Sequence, residues 1–199
     1  MSLESHFDSK KIELACDEAG RGCLAGAVYA AAVILKPGIS NPLLDDSKKL
    51  NARKREELRS WIEEHTIWAV GIVEPEEIDE INILNASFLA MHRAIDQIDA
   101  DFDHLLIDGN RFNPYPNKNH HCIVKGDGKY QSIAAASILA KSHRDEYMTE
   151  LAKELPMYDW GNNFGYPTVK HREAIKKHGI SKHHRKSFQL LPNQLQMKL

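Results

Sequence analysis

Ile12-Glu13-Leu14-Ala15-Cys16-Asp17-Glu18-Ala19-Gly20-Arg21-Gly22 is the stretch on which the reading of this chain turns. Residues 12–16 read as an apolar strand. Two acids follow at once, with a glycine turn and an arginine behind them. The pattern recurs twice: Leu105-Leu106-Ile107 closes on Asp108, and Ile123-Val124-Lys125-Gly126 leads into Asp127. Carboxylates that cap apolar strands are costly to gather, because two like charges about 4 Å apart repel by roughly 4 kcal/mol at an effective dielectric near 20. A fold that collects four of them calls for a cation. Hard divalent cations favour such oxygen ligands, and paired cations on clustered acids suit phosphoryl transfer. Successive side chains on a strand point to opposite faces, so Asp17 and Glu18 are expected to share an ion only where the strand ends or bulges. Gly20, Arg21 and Gly22 add close-approaching main chain and one positive charge, a grip suited to a sugar–phosphate chain.

Working outward, residues 27–35 read as a second strand, joined to the first as a hairpin through the glycine-rich segment. Asn51 is placed to cap a helix running to about Glu64, with Leu58, Trp61 and Ile62 on one face. Residues 66–73 read as a strand, and Pro75 suits the first turn of a short helix. Leu84, Phe88, Met91, Ile95 and Ile98 keep the spacing of an amphipathic helix over 83–99. A strand over 104–107 ends at Asp108-Gly109. Residues 110–120, with two prolines and four asparagines, have loop composition, and 121–124 form a short strand. A long helix is predicted over 130–155, its first half built of small residues that can lie close to a sheet, and Pro156 stops it. Thr168 caps a further helix to about His178, ended by Gly179. The strands come early and the helices late, which points to a mixed sheet flanked by helices with a helical C-terminal extension.

At 199 residues the chain is long enough for one domain with a substantial core and a small appendage. Its net charge of −2 says little by itself; the distribution says more. Between Glu74 and Asp108 ten acids accompany one base, Arg93, whereas from Gly165 onward eight Lys or Arg accompany one acid, Glu173. That basic end is either a landing surface for a polyanion or a solvated basic face. The three cysteines, Cys16, Cys23 and Cys122, lack paired spacing and fit a reducing compartment. Residues 1–11 lack the apolar core of a signal peptide, and the apolar run from Ala25 to Leu35 is too short to span a bilayer. A soluble cytoplasmic protein is expected.

Each acidic fragment taken alone is an ordinary turn or loop; the inference rests on all three occurring in order, each after an apolar strand. No G-x-x-x-x-G-K-[ST] sequence is present, which removes a nucleotide hydrolase. His120-His121 and His183-His184 lack helical metal-ligand spacing and read as surface residues or phosphate contacts rather than zinc ligands. Asp46-Ser47-Lys48 reads as a solvated turn before a helix, and Tyr166-Pro167-Thr168 as a packed tyrosine followed by a cap.

Together these fragments resemble the type-2 ribonucleases H, the bacterial ribonuclease HII family. The residues that carry the resemblance run in order from about 12 to 190. They are Asp17-Glu18-Ala19-Gly20-Arg21-Gly22 with Leu24-Ala25-Gly26; Asp46-Ser47-Lys48-Lys49-Leu50; Ile107-Asp108-Gly109-Asn110; and Lys125-Gly126-Asp127 with Ser132 to Lys141. Arg144-Asp145, Gly165-Tyr166-Pro167-Thr168 with His171, and His184-Arg185-Lys186-Ser187-Phe188 complete the set. Cys23 stands where the family usually has proline, and Ala27 where it often has another.

The resemblance implies an α/β, ribonuclease H-like fold: a central mixed five-stranded sheet flanked by helices over residues 12–155, and a basic, mainly helical extension over 156–199 that packs on it and contributes to substrate binding. It implies that Asp17, Glu18, Asp108 and Asp127 are the catalytic, metal-binding acids for two divalent ions, Mg²⁺ or Mn²⁺. The implied activity is endonucleolytic cleavage of RNA in RNA·DNA hybrids, and nicking of duplex DNA 5′ of embedded ribonucleotides to leave 3′-hydroxyl and 5′-phosphate ends. Gly20, Arg21, Gly22, Lys48 and Tyr166 are the implied substrate contacts: main chain at the 2′-hydroxyl, Tyr166 on the neighbouring sugar, Lys48 on a phosphate. The expected partners are the hybrid and ribonucleotide-containing duplex DNA. A monomer is expected, with no clear sliding-clamp motif in Gln189 to Leu199. The alternatives are a structure-specific DNA endonuclease on the same fold, and a binding module that uses the basic end without turnover.

Overall fold

The computed structural model describes residues 3–36, 38–47 and 49–192. Lys48 and residues 193–199, which include most of the segment read for a clamp motif, lie outside the described residues.

Five strands form one mixed sheet, ordered β3-β2-β1-β4-β5: β1 (Glu13–Ala19), β2 (Val28–Ile34), β3 (Ile67–Val73), β4 (His104–Asp108) and β5 (Asn119–Ile123). The β1–β2 and β2–β3 pairs are antiparallel, while β1–β4 and β4–β5 are parallel. The helices are α1 (Ala52–His65), α2 (Pro75–Ile95), α3 (Gln131–Glu154), α4 (Trp160–Asn163) and α5 (Val169–His178). The ribonuclease H-like architecture implied by the motifs is the one observed.

The strands form where the sequence is apolar on both faces. Val28, Ala30 and Ala32 of β2 face α2, together with Leu14 and Cys16 of β1. Ala31 and Val33 face the other way, against α1 and the alanine-rich first half of α3. The small residues Ala134, Ala135 and Ala136 let α3 lie close to the sheet. Gly71 does the same on the opposite face: a Cβ there would stand 2.0 Å from the carbonyl oxygen of Ala90, so any side chain would push α2 off β3.

Local signals set the helix ends. Asn51 Oδ1 accepts the Lys54 N–H at 2.9 Å and starts α1. Thr168 Oγ1 accepts the His171 N–H at 3.2 Å and starts α5. The short helix at Pro75 and the amphipathic helix beyond it form one element broken at Asn82, whose backbone (φ 65, ψ 162) is not helical. Asn82 Oδ1 accepts from the Leu84 and Asn85 N–H groups and so caps the second half.

Three boundaries differ from expectation. The first strand runs on to Ala19, because β2 pairs with it as far as Ala19↔Tyr29 although β4 leaves it at Cys16↔Ile107. The helix read over 83–99 stops at Ile95, where turns close at Gln97 and Ile98. The last strand is Asn119–Ile123, two residues earlier than read, because it pairs with all of β4 and leaves Val124 exposed.

Beyond α3, a separate apolar cluster forms from Tyr158, Trp160, Ile175 and Leu190 against Met148 and Leu151 of α3 and Leu24 and Ala25 of the β1–β2 connection. No helix among the described residues is long and apolar enough to cross a membrane.

Candidate active site

The parallel junction of β1 and β4 brings the first two acids together. The register pairs Cys16 with Ile107, so Asp17 and Asp108 are next in line at the carboxyl ends of neighbouring strands. Asp108 Oδ1 accepts the Gly126 N–H at 2.7 Å, which ties the turn carrying Asp127 to the end of β4. Lys125 enters that turn in the left-handed region (φ 56), and Gly126–Gly128 forms a single 3-10 turn with Asp127 buried. Asp108 and Asp127 line one cleft with Asp46, Lys49, Lys125 and Lys129. Asp108 and Glu18 line another with Arg21, Leu84 and Phe88.

Asp17 and Glu18 do not sit beyond the strand, as the sequence suggested. They lie within β1, so they alternate across the sheet. Asp17 is turned toward α3, where it meets the Ser137 hydroxyl, while Glu18 lines the cleft on the α2 side. Glu18 Oε1 accepts from Arg21 Nη1 at 3.0 Å. Among the described residues, no three His, Cys, Asp or Glu side chains form a group that could hold a metal ion.

Asp17 is buried among like charges. The Asp17 carboxyl is held well above the usual carboxylate range, first by burial and then by the charges of Glu18 and Asp108. Two contacts oppose the rise, the Ser137 hydroxyl and the Glu18 N–H, which donates to Asp17 Oδ1 at 2.7 Å. Both are neutral donors. A buried oxygen donor with acidic neighbours and no bonded ammonium or guanidinium fits a hard divalent ion.

Ser137 also shares a 3.0 Å hydrogen bond with Ser47, so the turn at Asp46-Ser47 is anchored to the helix that supports Asp17 rather than merely solvated. Sequence reading missed Ser137. The signal was a polar residue in an otherwise apolar run, Ile133 to Ala140, placed on the helix expected to lie closest to the sheet.

The β1–β2 connection forms the wall beside these acids. Gly20 (φ 94) turns the chain, and a Cβ there would collide with Arg144 Nε at 2.1 Å. Arg21 and Gly22 are exposed, and Cys23 N–H closes the turn on the Gly20 carbonyl at 3.3 Å. Leu24 N–H bonds the Gly165 carbonyl at 2.8 Å, which brings Tyr166 alongside. The Tyr166 ring is 39% exposed, and its hydroxyl meets the buried Cys23 thiol. Burial, then Cys23, raises the Tyr166 hydroxyl above its ordinary value.

Beneath both loops lie residues that the sequence placed elsewhere. His184, read as a surface residue, is 1% exposed and belongs to a buried aromatic group with Tyr158, Trp160 and His171. Trp160 Nε1–H donates to His171 Nε2 at 3.0 Å, and the other His171 nitrogen, Nδ1, meets the Tyr166 carbonyl at 2.9 Å. The Ser181 N–H donates to His184 Nδ1 at 3.0 Å. His184 Nε2 lies 3.3 Å from His171 Nε2, so its proton points at that nitrogen. With both imidazoles neutral, His171 Nε2 is shared between the Trp160 indole N–H and His184 Nε2. Burial lowers both, and His184 falls to about 4. Arg185, read as part of the basic landing surface, is fully buried. Burial, then the neighbouring Arg144, brings its pKa down to about 10.

A mixed five-stranded sheet of this order, with Asp17 and Asp108 side by side on its central parallel pair, is that of a ribonuclease H-like protein. Comparison with known proteins agrees. A ribonuclease HII family model matches residues 14–191. The ribonuclease HII of Parabacteroides distasonis is 64% identical over 194 residues, covering 97% of this chain and 98% of that protein. The ribonuclease HII in a PCNA:RNase HII complex from Archaeoglobus fulgidus superposes with a TM-score of 0.74 at 25% identity, covering 94% of this chain and 98% of the other. Bst-RNase HIII, solved in complex with Mn²⁺, shares the fold alone, with a TM-score of 0.71 at 18% identity over 90% of this chain and 67% of that one. The chain belongs to the ribonuclease HII family and is a ribonuclease H, an endonuclease acting on RNA–DNA hybrids.

Proposed function

We propose that this enzyme cuts the RNA strand of RNA·DNA hybrids and also nicks duplex DNA 5′ of embedded ribonucleotides, leaving 3′-hydroxyl and 5′-phosphate ends. The observation that carries the site assignment is the junction itself. Asp17 lies in β1 beside Asp108, which ends the neighbouring parallel strand β4, and Asp108 holds the main chain that presents Asp127. Asp17, Glu18, Asp108 and Asp127 would hold two divalent ions, Mg²⁺ or Mn²⁺. Such ions supply Lewis acidity, making water nucleophilic at neutral pH and offsetting charge on a leaving oxygen.

The rest of the chemistry is positioning. The exposed main chain of Gly20, Arg21 and Gly22 reads the 2′-hydroxyl, a group that both donates and accepts. Tyr166 packs on the adjoining sugar, and Lys48 takes a phosphate by resemblance alone. Residues 12–155 act as the catalytic domain and 156–199 as an extension that contributes to substrate binding. The exposed lysines of α5 and of the segment after it face the nucleic acid in this reading, and the enzyme acts as a cytoplasmic monomer.

The test is a set of labelled duplexes with zero, one or four ribonucleotides, incubated with Mg²⁺, Mn²⁺ or EDTA. Metal-dependent cutting is expected at one and at four ribonucleotides. Efficient cutting of the all-DNA duplex would favour a DNA endonuclease, and binding without metal-dependent turnover would favour a binding module.

A further inference from the structure

We propose that Arg185 is a positioning residue for ribonucleotide recognition: by holding the Arg21 carbonyl inside the protein, it aims the Gly22 N–H at the substrate. The proposal rests on the reading of the Gly20–Gly22 main chain given above.

Two arginines, Arg144 and Arg185, are buried beneath this loop at 1% and 0% exposure. Neither forms an ion pair among the described residues. Arg185 donates from Nη1 to the Arg21 carbonyl at 3.1 Å, and from Nε and Nη2 to the Gly26 carbonyl at 2.9 and 2.7 Å. Arg144 donates to the carbonyls of Ala27, Phe164 and Ala25 at 2.9, 2.9 and 3.0 Å. Burying two cations without carboxylates is expensive, and an apolar side chain would fill the space at less cost. What the guanidiniums add is a fixed fork of donors that pins several carbonyls inward at once.

A trans peptide is planar, so its N–H points opposite to its C=O. Each pinned carbonyl therefore fixes the direction of the next residue's N–H. The Gly26 N–H is already used, by the His183 carbonyl at 2.8 Å. The Ala27 N–H faces the Tyr147 hydroxyl, and the Gly165 N–H donates to Asn163 Oδ1 at 2.8 Å. Val28, after Ala27, opens β2. The Gly22 N–H differs. Its carbonyl partner on the Arg21–Gly22 peptide is held by Arg185, residues 21 and 22 are exposed, and no acceptor among the described residues takes this N–H. Gly22 has no Cβ, and one built there would meet nothing within 4 Å, so no protein atom crowds that side of its Cα. The N–H groups that follow the other pinned carbonyls belong to the buried residues Gly26, Ala27, Val28 and Gly165, whereas Gly22 is exposed, and Arg185 is the arginine that orients its N–H.

The two arginines therefore make a matched pair for experiment. Binding is measured by fluorescence anisotropy in EDTA, with a duplex carrying one ribonucleotide and with its all-DNA counterpart. The wild type is expected to prefer the ribonucleotide duplex. Arg185→Met should lower that preference by roughly tenfold, the scale of losing a required hydrogen bond. Arg144→Met should cost comparable thermal stability and leave the preference in place. If Arg185→Met does not fold, Arg185→Lys keeps the charge and a bond to Gly26 while losing the fork that reaches Arg21, and the same loss of preference is expected. A wild type without preference would remove the main-chain reading and the proposal with it. A wild-type preference retained in both Arg185 variants, or lost equally in Arg144→Met, would overturn the role of Arg185 alone.

Discussion

Mild acid should loosen this protein through its buried histidine pair. His184 stands at about 4 in the folded state because it is buried beside His171, while in the unfolded chain it returns to about 6.5. Between those values the unfolded chain binds more protons than the folded one, so stability falls as pH falls. The contribution is fully present above about pH 7 and is lost progressively toward pH 4. At pH 5 the protonation penalty for such a shift is about 2 kcal/mol, a difference built up between pH 7.5 and 5. For a chain of this size that corresponds to roughly 4–8 °C in melting temperature.

The assay is urea unfolding across that pH range, comparing the wild type with His184→Gln. Glutamine can accept the Ser181 N–H and donate toward His171, yet has no proton to gain. Carboxylates that titrate lower down act in both proteins and cancel in the difference. His184→Gln should remove most of the slope between pH 7 and 5. Because His171 meets the Tyr166 carbonyl, the wild type should also lose ribonucleotide cutting over the same range, ahead of global unfolding. An identical pH slope in the two proteins would refute the reasoning.

Asp17→Asn should lower turnover by about 10²-fold or more. It should also raise the melting temperature in EDTA at pH 8, since the folded chain no longer carries a carboxylate that burial and like charges disfavour; a variant less stable than wild type would contradict that electrostatic account. Replacing the exposed Lys177, Lys182 and Lys186 together by Gln should raise KM and flatten the log K against log salt slope by up to about 3, and an unchanged slope would take this segment off the nucleic acid. Tyr166→Ala should impair cutting at a lone ribonucleotide while Tyr166→Phe largely retains it, because the hydroxyl faces Cys23 rather than the cleft; equal losses would place the role in the hydroxyl.

The parts of the fold that were legible in the sequence are those with local causes. Asn51 and Thr168 could cap only where they stand, and the alanine-rich run from Ile133 could lie only against a sheet. The strand-end acids were legible as a set because each interrupts an apolar run. What was not legible depends on pairing between distant segments. β1 continues past Asp17 because β2 pairs with it there, which no property of residues 12–19 announces. His184 and Arg185 look like a basic surface because charge is read from residue type, whereas burial is set by Trp160 and by the loop at Gly26. Ser137 acquired a purpose only once α3 was seen to carry it to Asp17.

The way this site is supported bears on its function. Asp17 is held by a hydroxyl and an N–H, and Asp108 by the Gly126 N–H. The buried cations Arg144 and Arg185 are turned onto main-chain carbonyls. Neutral donors orient a carboxylate without cancelling its charge, whereas an arginine bonded to Asp17 would relieve its burial and compete with any incoming cation. The fold thus keeps its buried positive charge behind the loop and its negative charge at the strand ends. Arg21, unlike Arg144 and Arg185, bonds one of the acids, Glu18, from a half-exposed position on the loop. Under the function proposed above, an arriving phosphate would compete with Glu18 for Arg21.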